Sequence, residues 1–343
     1  MIRKIFTLLQ LTILLNSGSY AGGGMSHNNA VSFVVYSPDH RYMVSACPED
    51  KDLKLWDMST CTMRNVLDSV NIRYVVFSND GKKLYCKNSD TSAKAKDFIL
   101  SVETFTKIHE FKGGDVRNFY KDNDSLIVTV YLDKKQQVCK SEPDIEYERI
   151  GITSSSNPNV FAWHIDVPLK GGIWHPLYNS NTDLIYYSTL KGKTLSFFST
   201  HLRDKEPVLI YADKDFESGT GNYVLSPDGK FILVTDIQAL IDVDAKKVLW
   251  TSPENVRWNF APVTLAFSEH GDKLLYTKFD GETRLCETST GKLLVKSKLE
   301  RPITAEKVFR ADVDFAKNRI VYVIMKENTI HLSDISTGRN VPQ

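Results

Sequence analysis

From residue 31 onward, apolar and polar residues alternate in short runs that turn-forming residues separate. The clearest runs are Leu184 to Thr189, Phe231 to Thr235 and Ile320 to Ile324, and they are rich in β-branched and aromatic side chains. Such alternation is typical of strands with one buried face, and no stretch keeps the 3.6-residue period of a helix. The pattern therefore predicts an all-β chain.

Turn signals recur along the chain at a nearly constant spacing. Four begin with Ser, as in Ser226-Pro227-Asp228-Gly229, and three are degenerate; they start at Ser37, Ser78, Lys121, Asn179, Ser226, Ser268 and Phe315. They lie about 41 to 58 residues apart, and a period of roughly 40–50 residues with four strands in each copy is the signature of a β-propeller. The sequence predicts one domain over residues 31–343, a seven-bladed β-propeller of four-stranded antiparallel blades.

The two ends of this domain leave the closure of the ring open. Residues 22–30 are mostly Gly, Asn and Ser, which suit strands poorly, so we expect a short linker there. The last copy ends soon after its third strand. Either residues 339–341 form a stub strand or the seventh blade is incomplete.

The copies resemble the WD-repeat (WD40-type) propeller family and its YVTN-type relatives. The Ser-Pro-Asp-Gly turns carry this resemblance, as do the third-strand endings Leu53 to Asp57 and Ile330 to Asp334. The Trp-Asp pair occurs once, at Trp56-Asp57, and the Gly-His dipeptide that begins many family repeats is absent. The resemblance therefore implies the fold, but it does not predict the family's internal Asp–His hydrogen-bond network.

One interval is longer than the repeat requires, and it carries the candidate site. The surplus of about ten to fifteen residues lies between Ile150 and Gly172, where an inserted loop is expected. Insertions of this kind often form the binding face. The candidate partner-binding loop consists of Phe161, Trp163, His164, Trp174 and His175. In the alternative interpretation, Trp163 packs under the loop and Trp174 fills a blade interface.

The first 21 residues have the composition of a secretory signal peptide. Arg3 and Lys4 precede an apolar run from Ile5 to Leu15, and small residues up to Ala21 suggest cleavage before Gly22. We expect an exported protein, either periplasmic or secreted. Initiation at Met25 would instead give a cytoplasmic protein. No segment has the ~20 apolar residues of a membrane span.

Charge and motifs narrow the function classes further. There are 43 Lys and Arg against 42 Asp and Glu, which argues against a nucleic-acid partner. The linear motifs of hydrolases, metalloproteases and nucleotide-binding loops are absent. His164, Asp166 and His175 match no metal-ligand spacing. We therefore predict no catalytic, cofactor-binding or metal-binding residue.

Cysteine usage leaves the compartment open. The five cysteines are an odd number without a C-x-x-C spacing, so one or two disulfides are possible but cannot be assigned. Cys86, Cys139 and Cys286 fit small buried strand positions instead.

Two functions remain. The first is a monomeric, non-catalytic scaffold that presents propeller loops to protein or peptide partners. The alternative is a YVTN-type lactonase or related hydrolase with a site at the mouth of the central channel. An enzyme of that kind needs convergent acidic residues, for which Asp236, Asp280 and Glu327 are candidates.

Overall fold

The computed structural model describes residues 24–90, 96–111, 115–119, 126–133, 147–154, 157–168, 173–201, 206–216, 223–235, 239–251, 264–278, 280–300 and 308–342. Regular structure in these ranges consists of strands alone, so the prediction of an all-β chain is confirmed. Within the described part of the chain, no helix has the length and apolarity that crossing a membrane requires. The predicted signal peptide, residues 1–21, lies outside the described residues.

The strands form seven antiparallel sheets among the described residues, numbered here 1 to 7 in chain order. Within each sheet the strands pair in the order in which they follow one another. Sheets 1 and 2 contain β1 Phe33–Tyr36, β2 Tyr42–Cys47, β3 Asp52–Asp57 and β4 Thr62–Asp68, then β5 Ile72–Phe77, β6 Lys83–Asn88, β7 Asp97–Ser101 and β8 Lys107–Phe111. Sheets 3 and 4 contain β9 Asp115–Phe119, β10 Leu126–Asp133, β11 Tyr147–Ser154 and β12 Asn157–Pro168, then β13 Ile173–Asn179, β14 Leu184–Lys191, β15 Thr194–His201 and β16 Val208–Asp213.

The remaining sheets repeat this plan, except that the last has three strands. Sheet 5 contains β17 Tyr223–Leu225, β18 Phe231–Val234, β19 Ala239–Asp242 and β20 Lys247–Thr251. Sheet 6 contains β21 Thr264–Phe267, β22 Lys273–Thr277, β23 Glu282–Glu287 and β24 Leu293–Lys298. Sheet 7 contains β25 Val308–Asp314, β26 Arg319–Ile324 and β27 Ile330–Asp334.

A serine–carboxylate contact shapes the turn between the first and second strands. The Ser37 hydroxyl donates to Asp39 Oδ1 at 2.7 Å, and the Arg41 N–H donates to the same oxygen at 3.1 Å. The Ser hydroxyl contact recurs in sheets 2, 5 and 6, at Ser78–Asp80, Ser226–Asp228 and Ser268–Asp272. Burial raises the pKa of the Asp39 carboxyl, but the hydrogen bonds from Ser37 and Arg41 outweigh burial and lower this pKa below its ordinary value. The hydrogen bonds of each turn join residues that are close in sequence, so the residue types alone indicate the turn.

Apolar clusters join each sheet to the next. Shared clusters link sheets 1 and 2, 2 and 3, 4 and 5, 5 and 6, and 6 and 7. The inner strands β9 and β13 bring sheets 3 and 4 into contact. Sheet 7 in turn packs on sheet 1, where Met43 and Trp56 meet Val323 and Leu332. This circular packing is that of a β-propeller, because each sheet buries both faces against its neighbours.

Residues 24–30, the N-terminal segment, lie along sheet 7 and do not form a linker. The Met25 carbonyl accepts the N–H of Ile330 at 2.8 Å, and Met25 is buried. The predicted linker is therefore wrong for these residues. Their polar composition gives little strand propensity, but the unpaired edge of β27 supplies hydrogen-bond partners that composition does not report.

The C-terminal residues pair with the remaining part of the same edge of β27. The N–H of Val341 donates to the Leu332 carbonyl at 2.7 Å, and Asn340 forms an isolated antiparallel bridge with Ser333. Both alternatives for the end of the chain are partly realised: sheet 7 has three strands, and residues 339–341 form a short pairing. Two short segments thus occupy the position of a fourth strand.

Candidate functional site

A buried hydrogen-bond network fixes the N-terminal segment to sheet 1. His27 Nδ1 lies 2.8 Å from Asp52 Oδ1, and His27 Nε2 lies 2.6 Å from Ser45 Oγ. The indole Nε1–H of Trp56 donates to the same Ser45 oxygen at 2.7 Å. β2 supplies Ser45 and β3 supplies Asp52 and Trp56. The network therefore joins residues 24–30 to two strands of the first sheet.

The tautomer of His27 with its hydrogen on Nδ1 satisfies every partner in this network. Nδ1–H donates to the Asp52 carboxylate, and Nε2 accepts the hydrogen of the Ser45 hydroxyl. Ser45 Oγ accepts the indole hydrogen of Trp56, which can only donate. An Asp–His bond thus exists although the Gly-His dipeptide does not, and the expectation drawn from its absence is wrong. Ser26 stands where that glycine would be, and its backbone still delivers His27 to the site.

Ser45, His27 and Asp52 are bonded in the order of a hydrolytic triad, but their surroundings make the group structural. The Ser45 side chain has 0% exposure and already receives the Trp56 indole hydrogen. A nucleophile must reach a substrate carbonyl, and this hydroxyl is enclosed on all sides. The network therefore holds the fold together and offers no access for chemistry.

A second polar cluster lies beside this network. His27, Cys47 and Asp50 place possible ligand atoms within 4.8 Å of one another. Both ring nitrogens of His27 are engaged, however, and Asp50 Oδ2 accepts the backbone N–H groups of Asn28 and Asn29 at 2.7 and 3.1 Å. Burial raises the pKa of the Cys47 thiol. A metal would have to break these bonds, so the cluster acts as a further anchor of the N-terminal segment.

Two adjoining clefts open where sheet 1 meets sheet 7, and together they are called the seam groove. Their volumes are about 480 and 490 Å³, within the size range of ligand-binding sites. Gly24, Cys61 and Thr62 line both clefts. The first is otherwise lined by Thr60, Thr329, Ile330, His331, Leu332, Asn340 and Val341. The second is otherwise lined by Met25, Ser26, His27, Asn28, Asp52, Lys54, Trp56, Met63, Val66 and Asp68.

One face of β3 and β4 forms the floor of the second cleft. Across these strands Trp56 is opposite Met63 and Lys54 is opposite Val66. Met63 and Val66 are 44% and 41% exposed, which is high for large apolar side chains. Apolar side chains on the outer strands of other sheets, such as Ile108 and Leu209, are exposed to a similar extent, so what distinguishes Met63 and Val66 is their position in a cleft. An exposed apolar surface in a concave site is a feature of binding sites.

The charge of the groove is unbalanced. Lys54 Nζ lies 3.7 Å from Asp52 Oδ2 and donates to the Ser26 carbonyl at 2.9 Å, so this cation is neutralised. Asp68 is exposed, and among the described residues its carboxylate has no hydrogen bond or ion pair. Burial raises the pKa of the Cys61 thiol, although Arg319 opposes the shift, so this thiol is neutral at pH 7. The free charge of the second cleft is therefore the negative charge of Asp68.

The predicted partner-binding loop is not a loop. Phe161, Trp163 and His164 lie in β12, where they pair with Thr153, Ile152 and Gly151 of β11, and Trp174 and His175 lie in β13. The predicted insertion is wrong because β12 is an outer strand of 12 residues, and an edge position tolerates the prolines that resemble loop signals. The two groups occupy different sheets. Their role in binding a partner stays a prediction.

The acidic residues that were candidates for an enzymatic site bond to groups of their own turns or strands. Asp280 accepts the N–H of Glu282 at 3.0 Å, and Glu327 Oε2 lies 2.9 Å from His331 Nε2. Asp236 lies outside the described residues. The two described carboxylates therefore belong to different sheets and each is engaged locally.

The cysteines agree with part of the expectation. Cys86 and Cys286 are buried on β6 and β23, as predicted, and Cys139 lies outside the described residues. In the described ranges, Cys47, Cys61, Cys86 and Cys286 are free thiols.

Comparison with known proteins adds a family to this geometry. The WD40 family (WD domain, G-beta repeat) matches residues 24–57, which contain all four residues of the His27 network. The WD repeat-containing protein WDS homolog of Arabidopsis thaliana is 28% identical over 130 residues. That alignment covers 35% of this chain and 24% of the relative, so the chain matches about a quarter of the relative's length. The chain is thus similar to the WD-repeat family over residues 24–57, and its circular packing of antiparallel sheets is that of a β-propeller.

Proposed function

We propose that this protein is a non-catalytic scaffold that binds protein or peptide partners, with the seam groove as its binding site. The carrying observation is the exposure of Met63 and Val66 on the floor of a concave site. WD-repeat proteins are in general interaction scaffolds, and this supports the class of function.

The rigidity of the groove supports the same proposal. Its floor belongs to two paired strands, and the N-terminal segment that forms its wall is anchored through His27 and Asp50. A preorganised site binds more tightly, because less side-chain and backbone freedom is lost on association. The groove is therefore preorganised for binding a partner.

Site-directed photocrosslinking tests this function. A benzophenone amino acid replaces Val66 in the full chain, and a matched variant carries it at Leu294, a 46% exposed position on β24 of sheet 6. Both are irradiated in extract of cells that naturally express the protein. We expect discrete protein adducts from position 66 and only a diffuse background from position 294. Equal labelling from both positions, or none from either, would contradict the proposal.

The hydrolase alternative gains no support from the described residues. The one group bonded in triad order, Ser45–His27–Asp52, is closed to substrates. A lactone-hydrolysis screen of the purified protein, with Ser45→Ala as the paired variant, checks this directly. We expect no turnover above the background of a mock preparation.

We also propose that the protein is exported and cleaved near Ala21. The support is the order of charged, apolar and small residues in positions 1–21. N-terminal sequencing of the native protein tests this. A sequence starting at Gly22 is expected, whereas one starting at Met1 or Met25 would refute export by this signal.

A further inference from the structure

We propose that the seam groove selects an extended peptide segment in which apolar side chains alternate with other residues and lead to a Lys or Arg. This inference rests on the proposed scaffold function and specifies the chemistry of the partner. It follows from the spacing and the charge of three side chains on the floor of the groove.

The spacing favours an extended chain. Val66 and Asp68 are two residues apart on β4, and both line the same cleft. Alternate residues of a strand share a face at intervals of about 6.6–6.8 Å. A peptide in the same conformation repeats its side chains at that interval. An apolar side chain over Val66 therefore places the next side chain on that face beside Asp68.

The charge selects a cation at that second position. Lys54 is paired with Asp52, and the Asp50 carboxylate accepts three hydrogen bonds from Asn28 and Asn29. Asp68 is the carboxylate of the floor without such a partner among the described residues. A Lys or Arg of the partner would neutralise it, and an acidic side chain would be repelled.

Met63 and Val66 supply the apolar part of the site. They lie opposite Trp56 and Lys54 on the neighbouring strand and line the second cleft. Both side chains are more than two-fifths exposed, at 44% and 41%. An apolar peptide side chain would remove this surface from water, which favours binding.

A pair of synthetic peptides tests the inference. The probe is fluorescein-labelled Gly-Ser-Leu-Thr-Val-Thr-Arg-Ser-amide, and the matched peptide carries Glu in place of Arg. Fluorescence anisotropy measures their binding to the full chain. We expect the Arg peptide to bind at least five times more tightly than the Glu peptide. Asp68→Asn should weaken the Arg peptide about two- to fivefold, in the range of an exposed ion pair.

Substitutions on the surface complete the design. Asp68→Lys should reverse the preference and favour the Glu peptide. Met63→Ser should weaken both peptides several-fold, whereas Leu294→Ser, an equally exposed apolar position on another sheet, should leave both unchanged. All three positions are exposed, so the variants are expected to fold, and circular dichroism checks this.

Several results would overturn the inference. These are an Arg peptide that fails to bind at 1 mM, equal binding of both peptides, or an Asp68→Asn variant that binds like the wild type. Binding that appears only after deletion of residues 1–23 would assign the groove to the chain's own upstream residues. A dimer that Met63→Ser dissociates would assign it to a second copy. If position 66 still crosslinks proteins while the peptide series fails, the scaffold function stands and only this partner chemistry is wrong.

Discussion

The substitution Ser45→Ala tests whether the His27 network secures the closure of the propeller. It removes one hydroxyl that accepts from Trp56 at 2.7 Å and lies 2.6 Å from His27 Nε2. All three side chains are buried, so two polar groups are left without partners. Each unpaired buried group costs about 1–3 kcal/mol, so two such groups give a loss of roughly 2–6 kcal/mol in the free energy of unfolding. That is a large part of the ~5–15 kcal/mol typical of a domain.

Urea unfolding followed by circular dichroism measures this loss, with two further variants as controls. Ser59→Ala removes a surface hydroxyl that donates to Asp57 and should cost less than about 1 kcal/mol. Trp56→Phe removes the indole donor, so combining it with Ser45→Ala should cost less than the two single changes added together. A loss below about 1 kcal/mol for Ser45→Ala, or strict additivity in the double variant, would refute the role of the network.

Three further predictions concern stability. Gly338→Ala should lower the free energy of unfolding in urea by more than about 3 kcal/mol, because the added Cβ would lie 2.1 Å from a backbone carbonyl oxygen of sheet 6. Gly192 also has a positive φ, but it has open space around it, so Gly192→Ala should cost about 1–2 kcal/mol. Burial raises the pKa of the Glu282 carboxyl, but Lys278, Lys296 and Arg284 outweigh burial and lower this pKa to about 2. The contribution of the Glu282 carboxylate to stability is therefore complete above pH 4.5 and is lost as the pH falls towards 2. Glu282→Gln should be less stable than the wild type by about 1–2 kcal/mol at pH 6 and should match it near pH 2. Deletion of residues 1–27 should lower the melting temperature sharply in calorimetry, whereas deletion of residues 1–23 should not, because the first removes His27 from the buried Asp52. Equal melting temperatures for the two deletions would contradict this.

The sequence predicted the repeated parts of the fold because their signals are local. The run Phe231 to Thr235 alternates within one strand, and Ser37 bonds a carboxylate two residues away. Each signal can be read from a window of a few residues without knowing what packs on it. The same reasoning succeeded for Cys86 and Cys286, which are small apolar residues on buried strands.

The seam could not be predicted in this way because its bonds join distant parts of the chain. Met25 pairs with Ile330, which the sequence already places in a strand, but the composition of residues 22–30 does not indicate the strand partner. No Gly-His dipeptide marks His27 in the sequence, because Ser26 precedes it. The one local clue was the short last copy, which shows that a strand is missing but not what replaces it.

The aromatic-rich interval shows the opposite error. The 58-residue spacing of the two turn signals indicates surplus length, and the Ser, Asn and Pro residues in the interval are typical of a loop. An outer strand has one edge without a partner strand, so Pro158 and Pro168 at its ends cost few ladder hydrogen bonds. Surplus length in a repeat can thus lengthen an outer strand instead of forming an exposed loop.

The closure network and the proposed binding site lie in different layers of the same seam, so we expect their substitutions to have different effects. The buried layer contains Ser45 and His27, whose bonds are complete and whose substitution acts on folding. The surface layer contains Met63, Val66 and Asp68, which are exposed and contribute little to the core. We therefore expect substitutions in the surface layer to change the proposed peptide preference with little loss of stability. The buried layer holds the wall and floor of the groove in place. Substitutions of Ser45 or His27 should therefore weaken the binding of a partner only as far as they detach the N-terminal segment from sheet 1.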